Sequence, residues 1–279
     1  MRGLLASPLG FLIGVSLSAL GGGGSILAVP ALVYAAGQSP SHATTTSLVI
    51  VAVTATISIV PHWRAGRVHF GAGTIFGLAG IGGSLLGSRW NKAADPDVLL
   101  LAFSGLMLIA AFGMWRRVKN SAESTPLGSV GAAAAQITAS SFRIEPMTIV
   151  NVVVSGTIVG LLTGFFGVGG GFVIVPALIL ALGFTMPEAI GTSLLVITIN
   201  SAVALTPRLQ AGSIEWGTII PFAIASLLGV IVGSRLANTR DSCSLQRWFI
   251  ALLVVVAGYT AVRSGLALRA PGTALRGTA

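Results

Sequence analysis

The sequence predicts an all-α, polytopic membrane protein made of two homologous halves. Three observations lead there. The chain has 279 residues, of which 54% are hydrophobic and only 8% charged, with a mean hydropathy of +0.92. A soluble domain carries about 25% charged residues. Several apolar runs approach the roughly 20 residues that a helix needs to cross a bilayer. A glycine-rich break occurs twice, and the chain repeats itself around it at an offset of 146 residues.

The first break reads Gly21-Gly22-Gly23-Gly24-Ser25 and leads into Val29-Pro30-Ala31-Leu32. The second reads Gly167-Val168-Gly169-Gly170-Gly171 and leads into Val175-Pro176-Ala177-Leu178. Glycine and proline are costly inside a helix. Non-helical backbone at membrane depth is tolerated only where it is buried in protein or lines a cavity. Paired interruptions in corresponding places of two halves are a pointer to a transporter's binding site.

In the first half, apolar stretches cover Leu4–Leu20, Ile26–Ala36, Ala43–Val60, Gly71–Ser88 and Val98–Trp115. Met1-Arg2 before the first of them resembles a signal peptide, but no cleavage site is evident and the run is read as membrane segment. Pro61 is expected to end the third stretch. Lys119 to Pro146 is the one long polar segment and reads as a linker. The second half then gives Met147–Phe166, Phe172–Leu182, Ala189–Thr206, Trp216–Ser234 and Leu245–Val262. Adding 146 maps Thr46-Ser47-Leu48 onto Thr192-Ser193-Leu194, Pro61 onto Pro207, and Gly87-Ser88-Arg89 onto Gly233-Ser234-Arg235. The organisation expected is a first repeat over 1–117, a linker over 118–146, a second repeat over 147–266 and a tail over 267–279.

Two arrangements are open. If each glycine-broken stretch crosses once, there are about eight transmembrane helices. One side then collects 11 of the 16 Lys and Arg residues and keeps both termini and the linker in the cytoplasm. If each broken stretch crosses twice or re-enters, the result is a ten-element inverted repeat, and the bias shrinks to 9 against 7. The eight-crossing form is favoured.

Composition also excludes functions. The net charge of +9 comes from basic residues that punctuate apolar runs, so no clustered patch for nucleic acid is present. One cysteine, Cys243, leaves no internal disulfide and no multi-cysteine metal site. All seven acids lie at predicted ends or loops, against a cation pump built on buried carboxylates. No His-Glu-x-x-His, Gly-x-Ser-x-Gly or intramembrane carboxylate pair is present, so no enzyme chemistry, catalytic residue, metal ligand or cofactor is assigned.

The chain resembles the TauE/SafE sulfite exporter family, also called the toluene-sulfonate uptake permeases. The resemblance rests on a glycine run and short spacer before Val-Pro-x-Leu, here Gly22 to Leu32 and Gly169 to Leu178. It rests also on Ala-x-x-Thr-Ser-Leu, here Ala43 to Leu48 and Ala189 to Leu194. It covers roughly residues 8 to 265. It implies a secondary carrier of small sulfur-containing oxyanions, or related organic anions, in a bacterial inner membrane. A channel or permease for another small solute is the alternative.

The candidate binding set follows. Backbone N–H groups at Gly22, Gly23, Gly24 and Ser25, and at Gly169, Gly170 and Gly171, are placed to cradle an anion at helix starts. Thr46, Ser47, Thr192, Ser193 and Asn200 offer neutral donors to oxyanion oxygens without burying a cation. The competing reading is that these hydroxyls hold helices together. At the offset, His42 maps onto Glu188 and His69 onto Glu215, a set read as gating or proton-linked, against plain interfacial residues. The partners expected are a small anion, the lipid bilayer and a coupling proton.

Overall fold

The computed structural model describes residues 7–22, 24–25, 28, 32, 40–91, 96–123, 146–166, 171–209 and 216–269. Among them the structure is all helix. In chain order the helices are α1 (Ser7–Leu20), α2 (Pro40–Arg64), α3 (Phe70–Asn91), α4 (Pro96–Glu123), α5 (Pro146–Phe166), α6 (Gly171–Leu182), α7 (Met186–Leu209), α8 (Trp216–Thr239) and α9 (Ser242–Arg269). Seven of these are long and apolar enough to cross a membrane, and α1 and α6 are shorter apolar helices. Large apolar side chains such as Leu78, Ile109 and Val255 stand exposed on the outside, which suits contact with lipid tails.

Helix ends follow local chemistry. Pro61 does not end α2, which runs on to Arg64. Proline removes only one donor, and the stop is made further on. Arg67 N–H donates to the His62 carbonyl at 3.0 Å and Gly66 N–H to that of Trp63 at 2.8 Å. Gly66 takes φ 69°, so the pattern is a Schellman cap with glycine in the left-handed position. At the start of α7, Glu188 Oε2 accepts from Thr185 N–H at 2.9 Å and from the Thr185 hydroxyl at 2.8 Å. That is half of a capping box.

Two helix pairs form the body of the bundle, and both join one half to the other. On α5, Gly156, Gly160 and Gly164 lie against Phe76, Gly80 and Ser84 of α3, in rising order on both helices. On α1, Gly10 and Gly14 lie against Phe222 and Ser226 of α8. A Cβ at Gly156 would sit 2.7 Å from the Phe76 carbonyl oxygen, and one at Gly10 would sit 2.9 Å from that of Phe222. In return Gly83 packs on Thr157 and Leu161, and Gly229 on Phe11 and Val15. The contacts of Gly156, Gly160 and Gly83 reappear 146 positions away with the halves exchanged. This is small-residue packing of membrane helices at backbone distance.

The order of contacts also fixes helix direction. The α3/α5 pair runs parallel, and so does α1/α8. Gly73 meets Thr192 and Leu195, and Gly77 meets Ile199, so α7 runs with α3. The connection from α7 to α8 covers six residues and reaches about 20 Å, against about 36 Å for the 24-residue α7. So α8 starts where α7 ends and runs back. Then α1, parallel to α8, opposes α5, its counterpart at the offset. His62 at the end of α2 meets Ser18 near the end of α1, which agrees.

Of the two arrangements open from the sequence, the helix directions match the inverted one. The second half has five helices, and α6 runs against α5 rather than continuing it. The start of α1 and the end of α9 therefore share one face, and α4 ends on the other, where α5 begins. The expectation that linker and termini share the cytoplasmic face does not fit this order. It rested on one crossing per broken stretch, and the 11-to-5 charge bias fell with that premise.

Two outcomes are expected. In detergent, Gly160→Ala should lower the melting temperature, because overpacking against the Gly80 backbone costs about 1–3 kcal/mol. Gly82→Ala, with nothing within 4 Å, should be neutral or slightly stabilising. Sidedness is read by impermeant maleimide. The exposed native Cys243 at the start of α9 and a cysteine at Ser129 should label from the same side, and a cysteine at Thr278 in a Cys243→Ser background from the other. Labelling of the Ser129 and Thr278 positions from one side would overturn the inverted order.

Candidate functional site

The two glycine breaks touch in the bundle interior. Gly21, Gly22 and Gly24 are buried, as is Gly171 at the start of α6. A Cβ at Gly22 would overlap the Gly171 carbonyl group, and one at Gly171 would lie 2.6 Å from Ser25 Oγ. Gly21 has φ 72° and is pressed against Ile190 and Ser193 of α7. The structure thus brings Gly22, Ser25, Gly171 and Ser193 together at the junction of the halves. Gly23, Gly169 and Gly170 lie outside the described residues.

The hydroxyls hold this junction. Ser193 Oγ lies 2.7 Å from the Gly21 carbonyl oxygen and 2.8 Å from that of Ile190. Ser25 Oγ donates to the Gly22 carbonyl at 2.7 Å. Thr192 Oγ1 accepts from His69 N–H at 3.2 Å. Thr46 and Ser47 are buried on α2. So the helix-joining reading of Ser193 and Thr192 describes this conformation, in which the two breaks are closed on each other, while Ser25 bonds within its own break. Asn200 differs, because its buried Oδ1 has no partner among the described residues.

The ionisable set divides. His69 Nε2 lies 3.4 Å from Glu188 Oε1, with both side chains half-buried. The His69 ring stacks at a tilt on Phe184, 4.8 Å between centroids. This latch ties the α2–α3 turn of the first half to the start of α7 in the second. Around it, Arg67 donates to Asn238 Oδ1 at 2.6 Å, and Arg117 to the carbonyl oxygens of Ile179 and Gly183. All lie on the face where α4 ends. Glu215 and the His42 side chain lie outside the described residues.

Sequence reasoning passed over a polar file on α2. Thr54, Ser58 and His62 are fully buried, as is Ser18 of α1. Their spacing of four was a readable signal, since residues four apart share a helix face. Thr54 is also the counterpart of Asn200 at the offset. Among the described residues no cluster of His, Cys, Asp or Glu could hold a metal ion.

The family model described as sulfite exporter TauE/SafE matches residues 6–260. A probable membrane transporter protein of Xylella fastidiosa (strain 9a5c) is 34% identical over 267 residues, covering 93% of this chain and 95% of that protein. Bacillus subtilis (strain 168) has a similar one, YunE, 25% identical over 265 residues and 91% of each chain. A probable membrane transporter protein of Methanocaldococcus jannaschii is 35% identical over 115 residues, 39% of this chain and 43% of that one. No solved structure matches the chain.

The latch can be measured by substituting His69 and Glu188 with Ala, singly and together. The coupling expected in an unfolding titration is about 0.2–1 kcal/mol, as for a solvent-accessible pair. Glu188→Ala should cost more than His69→Ala, since it also removes the Thr185 cap. Equal single costs with zero coupling would dissolve the latch.

Proposed function

The chain belongs to the sulfite exporter TauE/SafE family, and on that premise we propose that it is a secondary carrier of small sulfur-containing oxyanions, such as sulfite or sulfonates, or of related organic anions, in a bacterial inner membrane. The observation that carries the reading is the contact of the two glycine breaks, Gly22 against Gly171, at the junction of two halves that run in opposite directions. Inverted halves with interrupted helices suit alternating access around a central site. The chain's membrane-transporter relatives agree with the class of activity.

The anion's place is between the breaks, at Gly22–Ser25 and Gly169–Gly171, with Thr46, Ser47, Thr192, Ser193 and Asn200 around it. Small residues let a backbone approach an oxyanion. The start of α6 at Gly171 adds the partial positive charge of a helix N-terminus. No lysine or arginine is needed at the centre, which avoids the cost of burying one. In the closed conformation Ser193 bonds the Gly21 carbonyl; parting the halves frees its hydroxyl for the substrate.

Thermal stabilisation of the purified protein by a panel of sulfite, sulfate, thiosulfate, sulfonates and carboxylates tests this. A bound ligand raises stability by mass action. Sulfite or a sulfonate should stabilise selectively, and Thr46→Val and Thr192→Val should each weaken that ligand about tenfold, the loss of roughly one hydrogen bond to a charged group. Stabilisation only by a carboxylate or a divalent cation would sink the sulfur-anion reading.

A further inference from the structure

The polar file on α2 is the feature that the binding site leaves unexplained. Thr54, Ser58 and His62 are 0, 0 and 1% exposed, and Ser18 of α1 is 0%. Ser58 is satisfied, because its hydroxyl donates to the Thr54 carbonyl at 2.7 Å. Ser18 Oγ, Thr54 Oγ1 and His62 Nδ1 have no partner among the described residues. Buried polar atoms are rarely left unpaired, and where protein supplies no partner an ordered water does. Two such atoms lie on the file, about 12 Å apart along α2, and the third faces it from α1 beside His62.

The ring of His62 has a defined tautomer. Its Nε2 is 3.2 Å from the Ser18 carbonyl oxygen. A carbonyl only accepts, so Nε2 holds a proton and donates it. Nδ1 is then the atom where a second proton arrives or leaves, and it has no partner among the described residues. An ionisable side chain within a membrane bundle marks an ion or proton pathway when it faces a wet cavity.

We infer that His62 and Ser18 form a hydrated proton-binding site, in which water reaches their unpartnered atoms and His62 takes up a proton at Nδ1, with Thr54 on the water path about 12 Å further along α2. The imidazole lone pair accepts the proton from water to give an imidazolium, and returns it to water in the reverse step. The surrounding charges are few. α1 carries none. α2 adds His42 at its start and Arg64 after the ring. The turn beyond holds Arg67, bonded to Asn238, and His69. α8 brings Arg235, which is exposed. α7 brings Glu188 and Arg208 near its two ends, and Glu188 is engaged by His69 and Thr185. With cations nearest, a second positive charge at His62 is favoured when an anion is in the pathway, so proton and anion would load together. That coupling rests on the carrier reading above; the site itself does not.

Histidine C2 hydrogen–deuterium exchange, followed by mass spectrometry on the full chain in nanodiscs, tests the site without a substrate. The chain has three histidines, so each is resolved by its peptide. His62 should exchange measurably, with a sigmoidal rate–pH profile, and Thr54→Val should shift its midpoint. Slow, pH-independent exchange at His62, with Thr54→Val simply raising the melting temperature, would show a dry cluster and overturn the inference. The coupling is read separately in proteoliposomes given sulfite with and without an imposed pH gradient. The gradient should accelerate wild-type uptake and lose its effect in His62→Gln. Uptake indifferent to the gradient in both would overturn the coupling and leave the carrier reading standing. If no sulfite moves at all, the carrier reading fails and the exchange profile still decides the site.

Discussion

The contact between glycine ridges is the constraint on which the rest of the bundle depends. In a bilayer there is no hydrophobic drive between helices, so association rests on close packing and interhelical hydrogen bonds. Here α3 meets α5, and α1 meets α8, at distances that only a missing Cβ permits. Both pairs cross between the halves. Neither half therefore has a body of its own: the first helix of each is clasped by the fourth helix-forming stretch of the other. Everything placed at the junction, including Gly22, Gly171 and Ser193, inherits its position from that clasp. Ser226 reinforces it by donating to the Gly10 carbonyl at 3.0 Å.

The glycines and their offset were legible in the sequence because the packing acts through residue type. A ridge that needs Gly83 and Gly87 on one helix needs Gly229 and Gly233 on its counterpart, and both pairs are written in the chain. Direction was not legible. A glycine run interrupts a helix without stating whether the chain goes on or turns back. The count of basic residues pointed to eight crossings because it treats every Lys and Arg as a marker of sidedness. Arg67 and Arg117 are structural here, bonded to Asn238 and to the carbonyl oxygens of Ile179 and Gly183.

Part of the candidate set was legible as neighbours. Gly22, Ser25, Gly171 and Ser193 meet at the junction, because a membrane interior leaves few places for polar groups. Their roles in the closed conformation were not legible, since a hydroxyl that binds a ligand and one that binds a neighbouring carbonyl look alike in sequence. His62 was lost for a more local reason. Pro61 read as a helix stop, which put His62 in a wet loop, and the cap at Gly66 carries the helix past it and buries the ring. The polar periodicity of Thr54, Ser58 and His62 was the better guide.

The strengths of the contacts say where such a bundle yields. On the face where α4 ends, the latch of His69 with Glu188 and the pair of Arg67 with Asn238 are accompanied by Gln246, which donates to the Met114 carbonyl at 3.2 Å. Accessible pairs of this kind are worth about 0.2–1 kcal/mol each. The glycine ridges are backbone against backbone along most of a helix and have no comparable way to part in steps. On the carrier reading, opening begins at the latch and proceeds as the halves rock about the ridges, with Gly22 and Gly171 separating between them. The offset adds chemistry to this geometry. His69 stands where the other half has Glu215, and Glu188 where it has His42. On the face where α4 ends, the histidine of the latch comes from the first half and the carboxylate from the second.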